Sequence, residues 1–491
     1  MTTHLLLTVV ALFLLLGVFS SKISSRFQFP ALLMFLLVGL VVPKDSSGLG
    51  ENYDFVNFIS AVCMSFILFS GGLDSNLSQM KRCAKSGIIL ASLGVILTTV
   101  FLGCLAKIIL PNFPIGWCFL LASVVSSTDA AAVFGILRGK GVSLKGHISP
   151  LLELESGSND PFAAFMTLFM ISVIQKADVS AYWLFIPKLI WEIGIGVVWG
   201  YLIGRLSEWL FNKLKLDYEG LYFVINIAIV LLSYGGAMCL LGNGFMASYI
   251  TGLTMSSLRF NYKRGVSRFS DGIAWLCQVM LFMVLGLLVD IDELIFIWWK
   301  GLLVAICLMF IARPLAVLLS TIKSKLNIKE KIFISWVGLR GAAPIVLATF
   351  PLYYFKDDEV FSGYARELFT IIFFVVLTSV IFQGKTLMFV AKKLHLDSPF
   401  KKMERNPLEL EITDSFKSVM KEFNVTADSP LIGKSLAEIR FPTGVMVVLI
   451  RRNNTFVLAR GESVVELHDG LLLLGDGSLV EELAMNYHLS V

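Results

Sequence analysis

The chain has 491 residues, of which 56% are apolar and only 16% charged, with a mean hydropathy of +0.78 and a net charge of +5. Average soluble domains carry about 25% charge, so this balance excludes a disordered chain and leaves little room for a large soluble enzyme. The apolar excess needs lipid to face. The positive charge is uneven: from Pro407 onward there are 12 acids and 7 bases, a net of −5, which leaves +10 on the rest. The seven cysteines are scattered without metal-ligand spacing and read as buried filler.

Runs of about 20 apolar residues are long enough to cross about 30 Å of hydrocarbon. They fall at 4–20, 29–42, 55–71, 86–110, 114–137, 150–174, 183–209, 220–241, 244–258, 272–289, 294–322, 332–350 and 365–390, giving 13 expected spans. The second and ninth are short. The first has neither the basic start nor the small-residue cleavage site of a signal peptide. Bases cluster in alternate loops: Lys22 and Arg26; Lys81, Arg82 and Lys85; Arg138, Lys140 and Lys145; Lys213 and Lys215; Arg259, Lys263, Arg264 and Arg268; Lys323 to Lys331; Lys392 and Lys393. The opposite loops hold few bases and the acids Asp290, Asp292, Glu293, Asp357, Asp358 and Glu359. By the positive-inside rule the N-terminus lies outside and the C-terminus in the cytoplasm.

The expected domains are therefore a transmembrane domain over 1–395, a charged linker over 396–406 and a small cytoplasmic α+β domain over 407–491. In the last, strands are expected at 408–412, 445–450, 455–459 and 471–474, a hairpin turn at 451–454 and a closing helix at 479–487.

Ionisable groups inside hydrocarbon are expensive and functional by default. The fifth span holds Ser126, Ser127, Thr128 and Asp129 at its middle. The sixth holds Glu153, Glu155, Ser156, Ser158, Asn159 and Asp160, then Pro161. Ser156 and Asp160 share one helix face, Glu155 and Asn159 the next, so Asp129 and Asp160 are expected to converge. Carboxylates with hydroxyl and backbone oxygens suit a hard monovalent cation, and the same carboxylates can take a proton instead. A site that binds either but not both exchanges them.

The twelfth span reads Trp336-Val-Gly-Leu-Arg340-Gly-Ala-Ala-Pro344. Arg340 is read as the only base at mid-span, with Glu155 its expected partner and Glu153 the second choice. Gly338, Gly341 and Pro344 predict a broken helix, and the fifth span is interrupted at Thr128 and Asp129. Paired interruptions in antiparallel segments mark inverted repeats.

Ser127-Thr-Asp-Ala, Glu155-Ser-Gly-Ser-Asn-Asp160 and Gly338-Leu-Arg-Gly-Ala resemble signatures of the monovalent cation:proton antiporter-1 family, in its NhaP and sodium/proton exchanger branch. Phe29-Pro-Ala-Leu-Leu and Phe69-Ser-Gly-Gly-Leu resemble its early segments. Ser429-Pro-Leu-Ile-Gly-Lys-Ser-Leu and Asp469-Gly-Leu-Leu-Leu-Leu-Gly-Asp476 resemble a TrkA-C (RCK C-terminal) domain. The resemblance implies an all-α polytopic membrane protein of the NhaA/NhaP-like fold, with two crossed discontinuous helices. It implies that Asp160 carries the cation and the proton, that Thr128, Asp129, Ser156 and Asn159 complete its site, and that Glu155 pairs with Arg340. It implies a homodimer in a bacterial inner membrane. The Asn159-Asp160 pair resembles the electroneutral branch, and the tail leans the choice of ion towards potassium, with sodium next. No resident cofactor and no nucleic-acid partner are expected. A nucleotide effector of the tail is, with Arg451, Arg452 and His468 as candidates to meet its phosphate.

Two other classes fit less well. A membrane hydrolase needs a Ser–His pair, a metal or paired aspartates, and all five histidines lie at span ends, in loops or in the tail; an Asp129–Asp160 dyad leaves Asn159 and Arg340 without a role. Gly135–Gly141 departs from a phosphate loop in spacing and in its last residue. A ligand-gated channel would suit the tail, but there is no filter-like glycine-rich segment.

Overall fold

The computed structural model describes residues 52–139, 141–176, 185–214, 218–399, 418–426, 428–439, 444–452 and 455–490, with isolated positions elsewhere. The first two expected spans lie almost wholly outside these ranges, as does the strand expected at 408–412. The chain forms two compact units, Met1–Lys401 and Lys402–Val491.

The first unit opens with α1 (Tyr53–Asp74), whose first turn is closed by Asn52: its Oδ1 accepts the Phe55 N–H at 3.1 Å. Next comes a continuous helix of 33 residues, α2 (Leu77–Ile89) and α3 (Val95–Ile109) joined by a π turn at Leu90–Gly94. Then follow α4 (Ile115–Val124) and α5 (Ala130–Gly139), two halves of one span separated by non-helical backbone, and the long α6 (Ile148–Lys176). After α7 (Phe185–Lys213), α8 (Gly220–Cys239), α9 (Gly244–Ser257) and α10 (Lys263–Leu288), the same sequence of shapes returns. A helix with a π turn, α11 (Ile291–Cys307) to α12 (Arg313–Ser320), precedes two halves, α13 (Ile328–Trp336) and α14 (Ala342–Tyr354), and the long α15 (Glu359–Lys393). This repetition is the expected internal repeat.

Seven of the described helices are long and apolar enough to cross a membrane unaided. The halves, at 10 and 13 residues for α4 and α14, are too short singly. Both breaks have local causes. Val125 to Asp129 is a β-branched and hydroxyl-rich run whose side chains compete for backbone groups; Ser126 Oγ donates to the Ser123 carbonyl at 2.6 Å. Val337 to Gly341 contains two glycines, and Pro344 falls in the first turn of α14, where its missing N–H costs nothing.

Small residues bring α9 against its neighbours. A Cβ at Gly252 would collide with the Phe69 carbonyl of α1, and Cβ atoms at Gly196, Gly200 and Gly204 of α7 would press on Asn243, Ala247 and Thr254.

Within the stretch expected to be a linker, β2 (Asp397–Pro399) pairs antiparallel with β1 (Val142–Leu144), the segment between α5 and α6. Lys145 extends the ribbon: its N–H donates to the Leu396 carbonyl at 2.9 Å and its Nζ to the His395 carbonyl at 3.1 Å. The charge of 392–405 hid this strand in the sequence.

The second unit is a five-stranded antiparallel sheet in the order β5-β4-β6-β3-β7. Its strands are β3 (Ser418–Val425), β4 (Val445–Arg452), β5 (Thr455–Leu458), β6 (Gly470–Asp476) and β7 (Leu489–Ser490), with the short helix α16 (Leu436–Ile439) and the closing helix α17 (Gly477–Asn486). Val480, Leu483 and Ala484 of α17 share a core with Phe423, Leu471 and Leu473. The strands expected at 445–450, 455–459 and 471–474 and the final helix are present, the first two paired antiparallel; β3 was missed because Lys421, Glu422 and Asn424 interrupt its apolar pattern.

Candidate ion-binding site

The two helix breaks meet. The Asp129 N–H donates to the Leu339 carbonyl at 2.8 Å, so unwound backbone from one repeat bonds unwound backbone from the other. Gly341 makes the approach possible, because a Cβ there would overlap the Asp129 carboxylate. Asp129 caps α5: its Oδ1 accepts the Ala132 N–H at 3.0 Å.

Helix α6 supplies the other wall. Ser156 Oγ donates to the Thr128 carbonyl at 2.9 Å and accepts the Ala130 N–H at 3.0 Å. Asn159 Nδ2 donates to Thr128 Oγ1 at 2.6 Å. Asp160, one residue on, interacts electrostatically with Asp129 and Arg340. Thr128, Asp129, Ser156, Asn159 and Asp160 are thus brought together. Three oxygens here are buried without a hydrogen-bond partner: Asp160 Oδ1, Asn159 Oδ1 and Ser127 Oγ. Buried polar atoms are normally satisfied, so an unsatisfied trio of oxygens in an apolar interior is a place for a bound cation or proton. Among the described residues no group of His, Cys, Asp and Glu could hold a chelated metal ion. Ser127 was noted in the sequence as part of a polar run but not assigned to the site.

The expected ion pair is corrected. Glu155 bonds Arg313, not Arg340; the two side chains are 1% and 2% exposed. Arg340 Nη1 instead donates to the carbonyls of Ser126, at 2.8 Å, and of Ser127. Its own N–H donates to Ser379 Oγ at 3.2 Å. The reason is the break itself: unwinding frees carbonyls in hydrocarbon, and they must be satisfied. Arg340 answers that need, while Arg313, at the turn from π to α geometry, takes the carboxylate. Arg340 is therefore not the only buried base. Arg313 was missed because it sits inside an apolar run just before Pro314, with no motif around it. Gly338 leaves it room: a Cβ there would lie 3.2 Å from Arg313 Nε and 3.4 Å from Thr128 Cγ2. Glu153, the second-choice partner, lies nearer the start of α6 on the stripe that also holds Gly157 and Asp160.

In the second unit two of the three candidate phosphate ligands, Arg451 and Arg452, are engaged elsewhere. Arg451 Nε donates to Glu422 at 2.5 Å. Arg452 grips the buried Asp469 with Nε and Nη2 at 2.9 and 2.8 Å and donates to Glu466 at 2.5 Å. These contacts, the Asp469 hydrogen bond foremost, raise the Arg452 pKa above its usual value. His468 takes a left-handed backbone, φ 67°, at the turn into β6.

Residues 9–393 match the sodium/hydrogen exchanger transmembrane family, and residues 420–487 match the TrkA-C domain. The chain belongs to the sodium/hydrogen exchanger family. It is a secondary transporter rather than an enzyme. Among curated relatives, the K(+)/H(+) antiporter NhaP2 of Shewanella sp. (strain MR-4) is 33% identical over 96% of this chain and 82% of its own length. The K(+)/H(+) antiporter NhaP of Alkalimonas amylolytica is also 33% identical, over 96% and 81%. The Na(+)/H(+) antiporter 1 of Methanocaldococcus jannaschii is 28% identical over 69% and 81%. The solved structure of the sodium proton antiporter MjNhaP1 from that organism at pH 8 superposes with a TM-score of 0.68, at 25% identity, covering 79% of this chain and 99% of that one. The fold is that of this family, two helix breaks and inverted repeats included.

Proposed function

We propose that this chain exchanges one K+ for one H+ across a bacterial inner membrane, with cation and proton competing for Asp160. The observation that carries the reading is the unsatisfied trio of oxygens on Asp160, Asn159 and Ser127 beside the two helix breaks. Thr128, Asp129 and Ser156 order the site around Asp160. The stoichiometry follows from the chemistry of the neighbours. Asn159 brings an amide, not a second carboxylate, and its Nδ2 is spent on Thr128. Asp129 is committed in part to capping α5. One carboxylate then trades one positive charge for another, and exchange is electroneutral. The choice of K+ rests on the relatives of about 33% identity that carry that name. The more distant sodium antiporter supports Na+ as the second reading.

The working unit in this reading is a homodimer joined through both units, with the N-terminus outside, the C-terminus in the cytoplasm and a TrkA-C tail that binds a nucleotide effector. With Arg451 and Arg452 held by carboxylates, such an effector must either displace those pairs or bind elsewhere on the sheet. Reconstituted vesicles test the core of the proposal. Proton flux driven by K+, Na+, Li+ and Rb+ gradients in turn is expected to be strongest with K+ and unchanged when the membrane potential is clamped at different values. Flux that follows the potential would sink the electroneutral exchange.

A further inference from the structure

Helix α6 places Glu153, Gly157 and Asp160 at positions i, i+4 and i+7, one stripe spanning about 10 Å of helix. Gly157 is the gap between the two carboxylates, and an aromatic ring fills it. A Cβ on Gly157 would fall inside the van der Waals surface of Tyr249 Cε2, Cζ and Oη. Tyr249 comes from α9, and its backbone is itself wedged: a Cβ on Gly72 of α1 would collide with the Tyr249 carbonyl. The ring is 2% exposed, and its hydroxyl is buried without a hydrogen-bond partner. Around that hydroxyl lie Ser158, Ser75 at the end of α1, Glu153 and Asp160. A phenol buried in an apolar interior usually finds a partner. This one has the hydroxyls of Ser158 and Ser75 as neighbours and lies within electrostatic reach of both Glu153, near the start of α6, and Asp160.

We infer that Tyr249 is the lid and first oxygen ligand on the path between Glu153 and Asp160. Its ring closes the passage from the side of the membrane where α6 begins, and its hydroxyl meets the cation as it passes. Gly157 is then required to be glycine because the lid rests on it. The inference deepens the proposed antiport and rests on Asp160 being the ion site.

Two variants separate the two roles. Tyr249→Phe keeps the ring and removes the oxygen; in everted vesicles it is expected to raise the KM for K+ about three- to tenfold, the loss of one oxygen contact, with proton flux at saturating K+ unchanged. Tyr249→Leu removes the lid. In a background with all seven cysteines replaced and Ser158→Cys introduced, a membrane-impermeant maleimide added to everted vesicles reports access. Tyr249→Leu is expected to label at least about tenfold faster than the parent, in proportion to the open fraction, and Tyr249→Phe at the parent rate. An unchanged KM in Tyr249→Phe takes the hydroxyl off the path, and equal labelling with and without the ring removes the lid; either result overturns the inference. Labelling needs no transport, so it is read separately from which ion Asp160 carries.

Discussion

The two units treat buried polarity in opposite ways. In the second unit Asp469, 1% exposed, is gripped by two nitrogens of Arg452 and also accepts the Glu466 N–H at 2.8 Å. Among the described residues, none of the buried side-chain polar atoms lacking a partner lies there. In the first unit, where an unpaired polar atom costs more, Asp160, Asn159 and Ser127 are left with open oxygens, and the Nε atoms of Arg313 and Arg340 are open as well, although Arg313 pairs with Glu155 through Nη2. Saturated networks fix a fold. The network left open is the candidate site.

That contrast can be broken in several places. The largest effect is expected from Asp160→Asn, which removes the carboxylate proposed to carry the cation and the proton. Proton flux should fall to that of protein-free vesicles, while size-exclusion chromatography in detergent shows a folded protein; normal exchange would remove the central claim. Next comes Glu155→Gln, which leaves Arg313 buried and unpaired. Thermal unfolding in detergent should show a loss of about 3–5 kcal/mol, and the double change Glu155→Leu with Arg313→Met should recover much of it. If Glu155→Gln is harmless and Arg340→Gln is not, the pairing described here is wrong. In the second unit, Arg452→Met leaves Asp469 without its main partner and is expected to cost about 1–3 kcal/mol of that unit's stability; ion selectivity should not change. The smallest effect belongs to Asn243, whose Oδ1 caps α9 at 2.9 Å from the Met246 N–H and whose Nδ2 donates to the Pro161 carbonyl at 2.9 Å. Asn243→Ala should cost about 1 kcal/mol, read as a small drop in the unfolding midpoint.

The sequence made the fold and most of the site readable, for one physical reason: polar groups in a chain this apolar stand out, and Ser126 to Asp129, Glu153 to Asp160 and Arg340 could be picked without coordinates. Glycine and proline marked both breaks. What stayed hidden was pairing. Arg313 and Arg340 lie 27 positions apart on separate elements, and nothing along the chain says which of them reaches Glu155. Nor does the sequence say that Arg340 is needed by carbonyls, because the demand arises only once Val125 to Asp129 unwinds against Val337 to Gly341. Tyr249 was invisible for a similar reason: it lies 89 residues from Asp160 in an unremarkable apolar run, and only Gly157 brings the two together.

The ribbon of β1 and β2 changes what α5 can be. This helix, about 15 Å long, begins at Asp129, whose backbone is bonded to Leu339, and runs into Val142–Leu144, which is laced to Asp397–Pro399. Both anchors belong to the second repeat or its exit. A rod fixed at both ends to the same body is a strut. It ties the carboxylate at one end to the chain leaving α15 at the other.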